Sequence, residues 1–241
     1  MKVGRGVNVH ITEQTCYPFG DEVLLRIDSI DRPTRFPFVV RIPSWSEHSE
    51  LLLNGEPLAC EPDANRLAKV ERTWSAGDEL GIRFTPRVRL TTWKENARSV
   101  ERGPLVYALR VESECRRVTN TRDSVYQGGW YLEHRATTPW NYALIQCPDD
   151  ALDTHYVVQV DSSRLASRQP WTEASAPITI RTRALRIPSW QLYNGMAGPL
   201  PYSIMSRLET GGEKEEIRLI PYGCTTLRIT EFPMSGRHTA E

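Results

Sequence analysis

Acidic side chains are the first residues of this sequence that could do chemistry, because two carboxylates on either side of a glycosidic bond can hydrolyse it. Those that stand in polar turns or near predicted strand ends include Glu95, Glu101, Asp149, Asp150, Glu215 and Glu216. Spacing along the chain does not bring any two of them together, and carboxylates in such positions are usually solvated. We therefore expect no catalytic residue among them.

Cysteine and histidine side chains offer the next kind of chemistry, metal binding or nucleophilic attack. The five cysteines are Cys16, Cys60, Cys115, Cys147 and Cys224. They form no C-x-x-C pair, and neither they nor the five histidines show the spacing of a zinc site. A Cys–His nucleophile stays open, although no local signature supports it. We expect reduced thiols, no metal site and no cofactor.

Tryptophan is the remaining chemical handle, since the face of an indole ring can stack on a sugar. Trp45, Trp74 and Trp140 adjoin predicted strands, so we expect them in the core. Trp130 and Trp171 lie in segments flanked by Gly or Pro. For these two, a core position and an exposed sugar-binding position stay open, and they are our candidate binding residues.

The composition excludes several partners. The 241 residues include 30 Lys and Arg and 30 Asp and Glu, so the formal net charge is zero. A neutral balance lacks the basic surface that binds nucleic acid or an acidic membrane. We interpret the arginines near 116 and 181 as outward positions of solvated strands. No apolar run is long enough for a membrane span, and no secretory signal is visible at the start, which favours a cytoplasmic location.

Short strands must position these side chains. Segments at 23–27, 36–42, 67–70, 80–84, 105–111, 156–160 and 178–184 are short and rich in apolar or β-branched residues. Asn54-Gly55 predicts a hairpin turn, and 217–219 and 227–229 predict another hairpin through 221–223. Seventeen prolines interrupt any helix. The pattern predicts an all-β protein of two consecutive antiparallel sandwich or jelly-roll-like domains.

The boundary between these domains is expected near residues 101–104, before a polar and poorly periodic stretch at 112–129. We therefore expect domains at 1–108 and 109–241. The string RIPSW occurs at both 41–45 and 186–190. Because the similarity extends no further, we interpret it as a coincidence of two strand ends rather than a repeat.

Specific strings carry a family resemblance. They are, in order, TCYPF at 15–19, FPFVVRIPSW at 36–45, LNGEP at 53–57, RTW at 72–74, RGPLVY at 102–107, PWNYAL at 139–144, IPSW at 187–190 and LIPYG at 219–223. The sequence resembles the region that follows the catalytic domain in bacterial β-L-arabinofuranosidases of glycoside hydrolase family 127. The resemblance spans nearly the whole chain, with the earlier strings similar to the family's middle domain and the later ones to its C-terminal domain.

This resemblance implies two β-sandwich domains that accompany a helical (α/α)₆ catalytic barrel. In the family, the barrel releases terminal β-L-arabinofuranose with a zinc-bound cysteine nucleophile and a glutamate acid/base. Those residues include an adjacent Cys-Cys pair, to which no position in the 241 residues corresponds. We therefore transfer the fold and the context, and no catalytic residue.

Three functional hypotheses follow. The first is a non-catalytic accessory region that supports a helical barrel in cis or in trans, with self-association as a possible outcome when the barrel is missing. The second is an autonomous carbohydrate-binding module that uses Trp130 and Trp171. The third, an independent hydrolase, would need its own pair of opposed carboxylates.

Overall fold

The structure is a computed structural model and describes residues 1–4, 6–119, 129–202 and 213–235. Strands contain 52% of these residues and helical turns 8%. The predicted all-β class is therefore confirmed. It follows from side chains that alternate between apolar and polar along short segments, which suits a sheet with one buried face. A jelly-roll arrangement stays a prediction.

Twenty strands and a few short helical turns make up the described chain. The strands are β1 (Lys2–Val3), β2 (Val7–Thr15), β3 (Glu22–Ile30), β4 (Thr34–Arg41), β5 (Glu50–Leu53), β6 (Glu56–Leu58), β7 (Leu67–Trp74), β8 (Glu79–Arg83), β9 (Val88–Thr92), β10 (Arg98–Arg102), β11 (Leu105–Leu109), β12 (Ser113–Thr119), β13 (Trp130–Ala136), β14 (Tyr142–Ile145), β15 (Val157–Val160), β16 (Ile178–Arg186), β17 (Leu192–Tyr193), β18 (Met196–Ala197), β19 (Lys214–Pro221) and β20 (Met234–Ser235). Single α-helical turns are α1 (Leu152–His155) and α2 (Ser162–Leu165), and 3₁₀ turns lie at Lys94–Asn96, Asp149–Ala151 and Tyr222–Cys224.

The chain divides into two compact units, Met1–Arg87 and Val88–Glu241. The division falls earlier than the predicted boundary at residues 108/109. The reason is strand pairing, because β9, β10 and β11 pair in sequence and β11 then pairs with β19 of the second unit. That the units are independent domains stays a prediction.

The first unit is built from a six-stranded sheet, ordered β1-β2-β3-β8-β5-β6, and the two-stranded sheet β4-β7. Strand β7 shows why they pack together, since Ala68, Val70 and Trp74 are buried while Lys69 and Glu71 between them are exposed. These apolar side chains join those of the larger sheet in one core cluster. Trp74 is fully buried in it, as predicted.

A tight turn at Asn54-Gly55 joins β5 to β6. Both residues have positive φ, 53° and 86°, which is the geometry of a type I′ hairpin turn. The Asn54 side chain accepts a hydrogen bond from the Glu79 backbone (2.8 Å) and donates one to Asp78 (3.1 Å). The predicted hairpin is confirmed.

The second unit is built on an eight-stranded sheet, ordered β20-β14-β16-β19-β11-β10-β9, with β15 paired to β16. Arg98 at the start of β10 exchanges backbone hydrogen bonds of 2.8 and 2.9 Å with Phe232. Two residues later Met234 pairs in parallel with Leu144 of β14. Because β10 and β14 lie far apart in the strand order, the segment that contains Phe232 and Met234 curls the sheet toward closure.

The repeated RIPSW string forms a corner at the end of a strand in both units. In each copy the arginine ends a strand, Arg41 in β4 and Arg186 in β16, and the following isoleucine is buried. The backbone carbonyls of the corner accept hydrogen bonds from one polar side chain, which is Arg66 in the first unit and Asn141 in the second. The two copies are strand ends, as predicted.

One local prediction is wrong, and one pair of strands was not predicted. Residues 227–229 do not form a strand. The 3₁₀ turn Tyr222–Cys224 follows β19, and the described residues from 225 to 235 form no hairpin with that strand. The polar stretch that begins at residue 112 contains β12, which pairs over its full length with β13. Both faces of this two-stranded sheet are largely exposed, so the apolar alternation that reveals a half-buried strand is missing.

Candidate functional site

Trp130 begins β13 and faces Thr119 across the hairpin. Its side chain is 48% exposed, and the guanidinium carbon of Arg117 lies 4.4 Å from the centroid of the indole ring. A cation over the ring is favourable, and it occupies one of the two faces of the indole. A sugar could stack only on the other face.

Trp171 lies in the segment between α2 and β16 and is 41% exposed. A Cβ placed on Gly223 would lie only 2.6 Å from this indole ring, so the ring packs directly on the Gly223 backbone. The neighbouring Cys224 thiol donates to the Pro170 carbonyl at 3.3 Å, and burial raises the pKa of this thiol to about 11. The backbone of the 3₁₀ turn therefore positions the Trp171 ring through direct packing.

The two candidate tryptophans lie on different elements, Trp130 on a hairpin and Trp171 beside the end of β19. The other predicted positions agree with the structure. Trp45 packs against the first core and lies edge-on to Phe84 at 5.3 Å, and Trp140 lies edge-on to Trp190 at 5.0 Å. Sequence reasoning missed Trp93, which is 55% exposed and donates to Thr91 at 3.0 Å.

Several carboxylates considered for catalysis have structural partners. Glu101 accepts hydrogen bonds from Arg89 (2.9 Å) and Thr91 (2.7 Å). Glu215 accepts one of 2.6 Å from the Tyr142 hydroxyl, and burial raises the pKa of this tyrosine to about 12. Glu216 approaches Arg181 at 3.8 Å. These contacts tie the carboxylates to neighbouring strands.

The residues do not fit the zinc-bound cysteine of the family resemblance. All five cysteines are unpaired and lie in separate parts of the chain. Within the described ranges, no three His, Cys, Asp or Glu side chains are grouped so that they could hold a metal ion. No helix in the same ranges is long and apolar enough to cross a membrane.

A cavity that sequence reasoning missed lies over strands β15, β16 and β19. Its volume is about 260 Å³, and its lining includes Arg110, Arg164, Arg181, Arg218 and Glu173. From the sequence alone, only Arg181 of this set is interpreted, as an outward position of a solvated strand. The cavity forms because these arginines point outward from neighbouring strands and the loop that carries Glu173 lies beside them. A sequence does not show which strands are neighbours, so it offers no signal for this site.

The family comparison concerns the first unit. Residues 2–86 match the family described as "Beta-L-arabinofuranosidase, GH127 middle domain". The resemblance is confirmed. This GH127 match covers nearly all of the unit Met1–Arg87. The search of curated proteins found no match.

Solved structures of glycoside hydrolases, two of them titled as GH127 enzymes, share the fold of almost the whole chain. A GH127 β-L-arabinofuranosidase from Geobacillus stearothermophilus T6 is 21% identical over 97% of this chain, with a TM-score of 0.60. A protein titled "Glycoside hydrolase" is 21% identical over 94% (TM-score 0.60), and a GH127 β-arabinofuranosidase is 17% identical over 95% (TM-score 0.57). The chain spans only 32% of the length of each. At sequence identities of 17–21%, this structural similarity shows a shared fold alone.

Proposed function

We propose that the chain is an accessory β-region of a GH127-type glycoside hydrolase, which packs beside a helical catalytic domain and supports it in cis or in trans. The observation that carries the proposal is the match of residues 2–86 to the GH127 middle domain. The length of the solved structures supports it as well. This chain matches only 32% of each of them, and the remaining part is long enough to contain a catalytic domain.

The surface of the second unit supports this role. The β12–β13 hairpin exposes Trp130, Tyr131 and Leu132, and a two-stranded sheet with bare faces is only marginally stable in water. The β17–β18 hairpin exposes Leu192 and Met196. Apolar patches of this kind mark surfaces that a partner covers. We assign the β12–β13 hairpin as the surface that meets the catalytic domain.

The test is sedimentation velocity of the full chain, alone and mixed with a helical barrel encoded at the same locus. We expect a stoichiometric complex with the barrel, and self-association of the chain alone at high concentration. Leu132→Lys should weaken the complex at least tenfold. The same change at Val39, an exposed apolar residue in the other unit, should leave it intact. A monomer that ignores the barrel would contradict the proposal.

The exposed tryptophans favour a second candidate, an autonomous carbohydrate-binding module. Trp130 and Trp171 are each partly exposed, and a stacked sugar contributes through such a ring face. Calorimetric titration with arabino-oligosaccharides tests this function. Trp130→Ala or Trp171→Ala should abolish binding, whereas Trp93→Ala, an exposed tryptophan outside the prediction, should not. Equal affinities in all three variants would remove this candidate.

A further inference from the structure

The arginine cavity of the second unit places like charges in one row across the sheet. Arg181 of β16 is the direct cross-strand partner of Arg218 of β19. The backbone of Arg110 donates to the Arg218 carbonyl at 2.8 Å, which brings a third arginine next to the pair. Like charges directly opposite each other destabilise a sheet. The row therefore needs negative charge nearby.

The carboxylates of the chain meet this need only in part. Glu173 pairs with Arg110 at 2.7 Å, and Asp161 pairs with Arg164 at 2.9 Å. Arg181 has only the longer contact of 3.8 Å with Glu216, and its Nε is buried without a hydrogen-bond partner. In the part of the chain that the structure describes, no hydrogen bond or ion pair engages the Arg218 guanidinium. Four arginines face three carboxylates, so Arg218, whose side chain is exposed to solvent, has no ionic partner among the described residues.

Neutral groups of the lining add hydrogen-bonding capacity. Gln159 of β15 lies directly opposite Thr179 of β16, and both line the cavity. Arginine presents a planar fork that matches the oxygens of carboxylate, sulfate or phosphate in pairs. At about 260 Å³ the cavity is just below the usual range for small-molecule sites. It suits one small anion or one acidic sugar unit.

We propose that this cavity binds a small ligand through an oxyanion group, with Arg218 and Arg181 as its main contacts. The ligand supplies the negative charge that the row of arginines lacks. The Nε of Arg181 gains an acceptor, and Arg218 gains an ionic partner. The site is independent of whether the chain accompanies a catalytic domain.

The test is calorimetric titration of the full chain with inorganic phosphate, sulfate and glucuronate, with glucose as the neutral comparison. We expect saturable binding of the anions and none of glucose. Tighter binding of glucuronate would identify an acidic sugar as the source of the oxyanion, and tighter binding of phosphate or sulfate a free tetrahedral anion. Either order supports the site. Absence of saturable binding for all three anions would overturn it.

Variants separate this site from a general charge effect. Arg218→Gln should weaken anion binding about tenfold, since hydrogen bonds to charged groups are the strong ones. Arg183→Gln, on the same face of β16 but outside the cavity lining, should leave it unchanged. Arg218→Lys keeps the positive charge but loses the planar guanidinium, and its anion affinity should lie between those of Arg218→Gln and the parent chain. Because it is the conservative change, it also controls for a folding defect. Equal weakening by Arg218→Gln and Arg183→Gln would contradict the assignment.

Discussion

Asn141 shows how one side chain can hold a buried corner. It is 9% exposed and donates hydrogen bonds to the carbonyls of Ile187 (2.8 Å) and Trp190 (3.0 Å). Arg186 in turn donates to the Asn141 side-chain oxygen at 3.1 Å. The residue therefore satisfies backbone acceptors that water does not reach.

Replacing Asn141 with Ala should lower the free energy of unfolding by about 2–3 kcal/mol, because it leaves buried carbonyls without donors. Urea unfolding monitored by circular dichroism measures the change. Gln191→Ala, at the exposed position next to Trp190, is the control and should stay within about 0.5 kcal/mol of the parent chain. An Asn141→Ala variant as stable as the control would contradict this account of the corner.

Ionisation of Tyr142 makes the free energy of unfolding depend on pH in the alkaline range. Burial and the hydrogen bond to Glu215 raise its pKa from 10.0 to about 12. The folded state therefore favours the neutral phenol, and its contribution is fully present below pH 10 and is lost as the pH rises toward 12. Burial also raises the pKa of Tyr156, so part of the loss does not depend on Tyr142.

The prediction for Tyr142→Phe is a shallower loss of stability over that range. Urea midpoints measured at several pH values from about 9 to about 12 should fall less steeply in the variant than in the parent chain. The Tyr156 contribution is common to both proteins and cancels in the comparison. Parallel plots of the urea midpoint against pH for the two proteins would show that the Tyr142 hydroxyl does not contribute to the alkaline loss of stability.

Strands with one buried face could be predicted from the sequence. β7 alternates buried and exposed side chains, and β16 alternates buried and less buried ones from Ile178 to Ala184. Asn54-Gly55 marks its turn by residue type alone. β12 could not be predicted, because its side chains are exposed on both faces. The 227–229 strand was wrong because an apolar pattern does not show that a 3₁₀ turn redirects the chain after Pro221.

The candidate site could be predicted only as separate residues. The exposure of Trp130 and Trp171 was one of two open alternatives. The arginine cavity depends on the register of Arg181 against Arg218, residues that are far apart in the chain. Register between distant strands is a property of the folded sheet, so the charge row was invisible beforehand.

The 3₁₀ turn Tyr222–Cys224 and the Trp171 segment form a contact between elements that can be tested with one methyl group. Gly223→Ala places a Cβ within 2.6 Å of the indole ring, so the ring must move. We expect a loss of about 1–3 kcal/mol and a changed near-ultraviolet circular dichroism spectrum. Gly129→Ala, where a Cβ meets no atom within 4 Å, is the matched control. Identical spectra for both variants would contradict the packing.

At the scale of the whole molecule, we expect the isolated chain neither to bind zinc stoichiometrically nor to hydrolyse arabinofuranosides. A catalytic zinc needs three protein ligands that converge on an open position, and the described residues offer no such group. Metal analysis by mass spectrometry and an assay with an aryl β-L-arabinofuranoside check this. One tightly held zinc per chain, or turnover above background, would contradict it.

The pairing of Arg98 with Phe232 has a consequence for synthesis on the ribosome. Phe232 is fully buried, and the eight-stranded sheet is drawn toward closure only when it and Met234 are in place. The first unit holds all its strand partners by Arg87 and can form while translation continues. The second unit cannot complete its sheet until Phe232 has been synthesised, more than 130 residues after Arg98. Until then β9, β10 and β14 have left the ribosome without the segment that joins them. We expect its unpaired strand edges to be a target for chaperones during that interval.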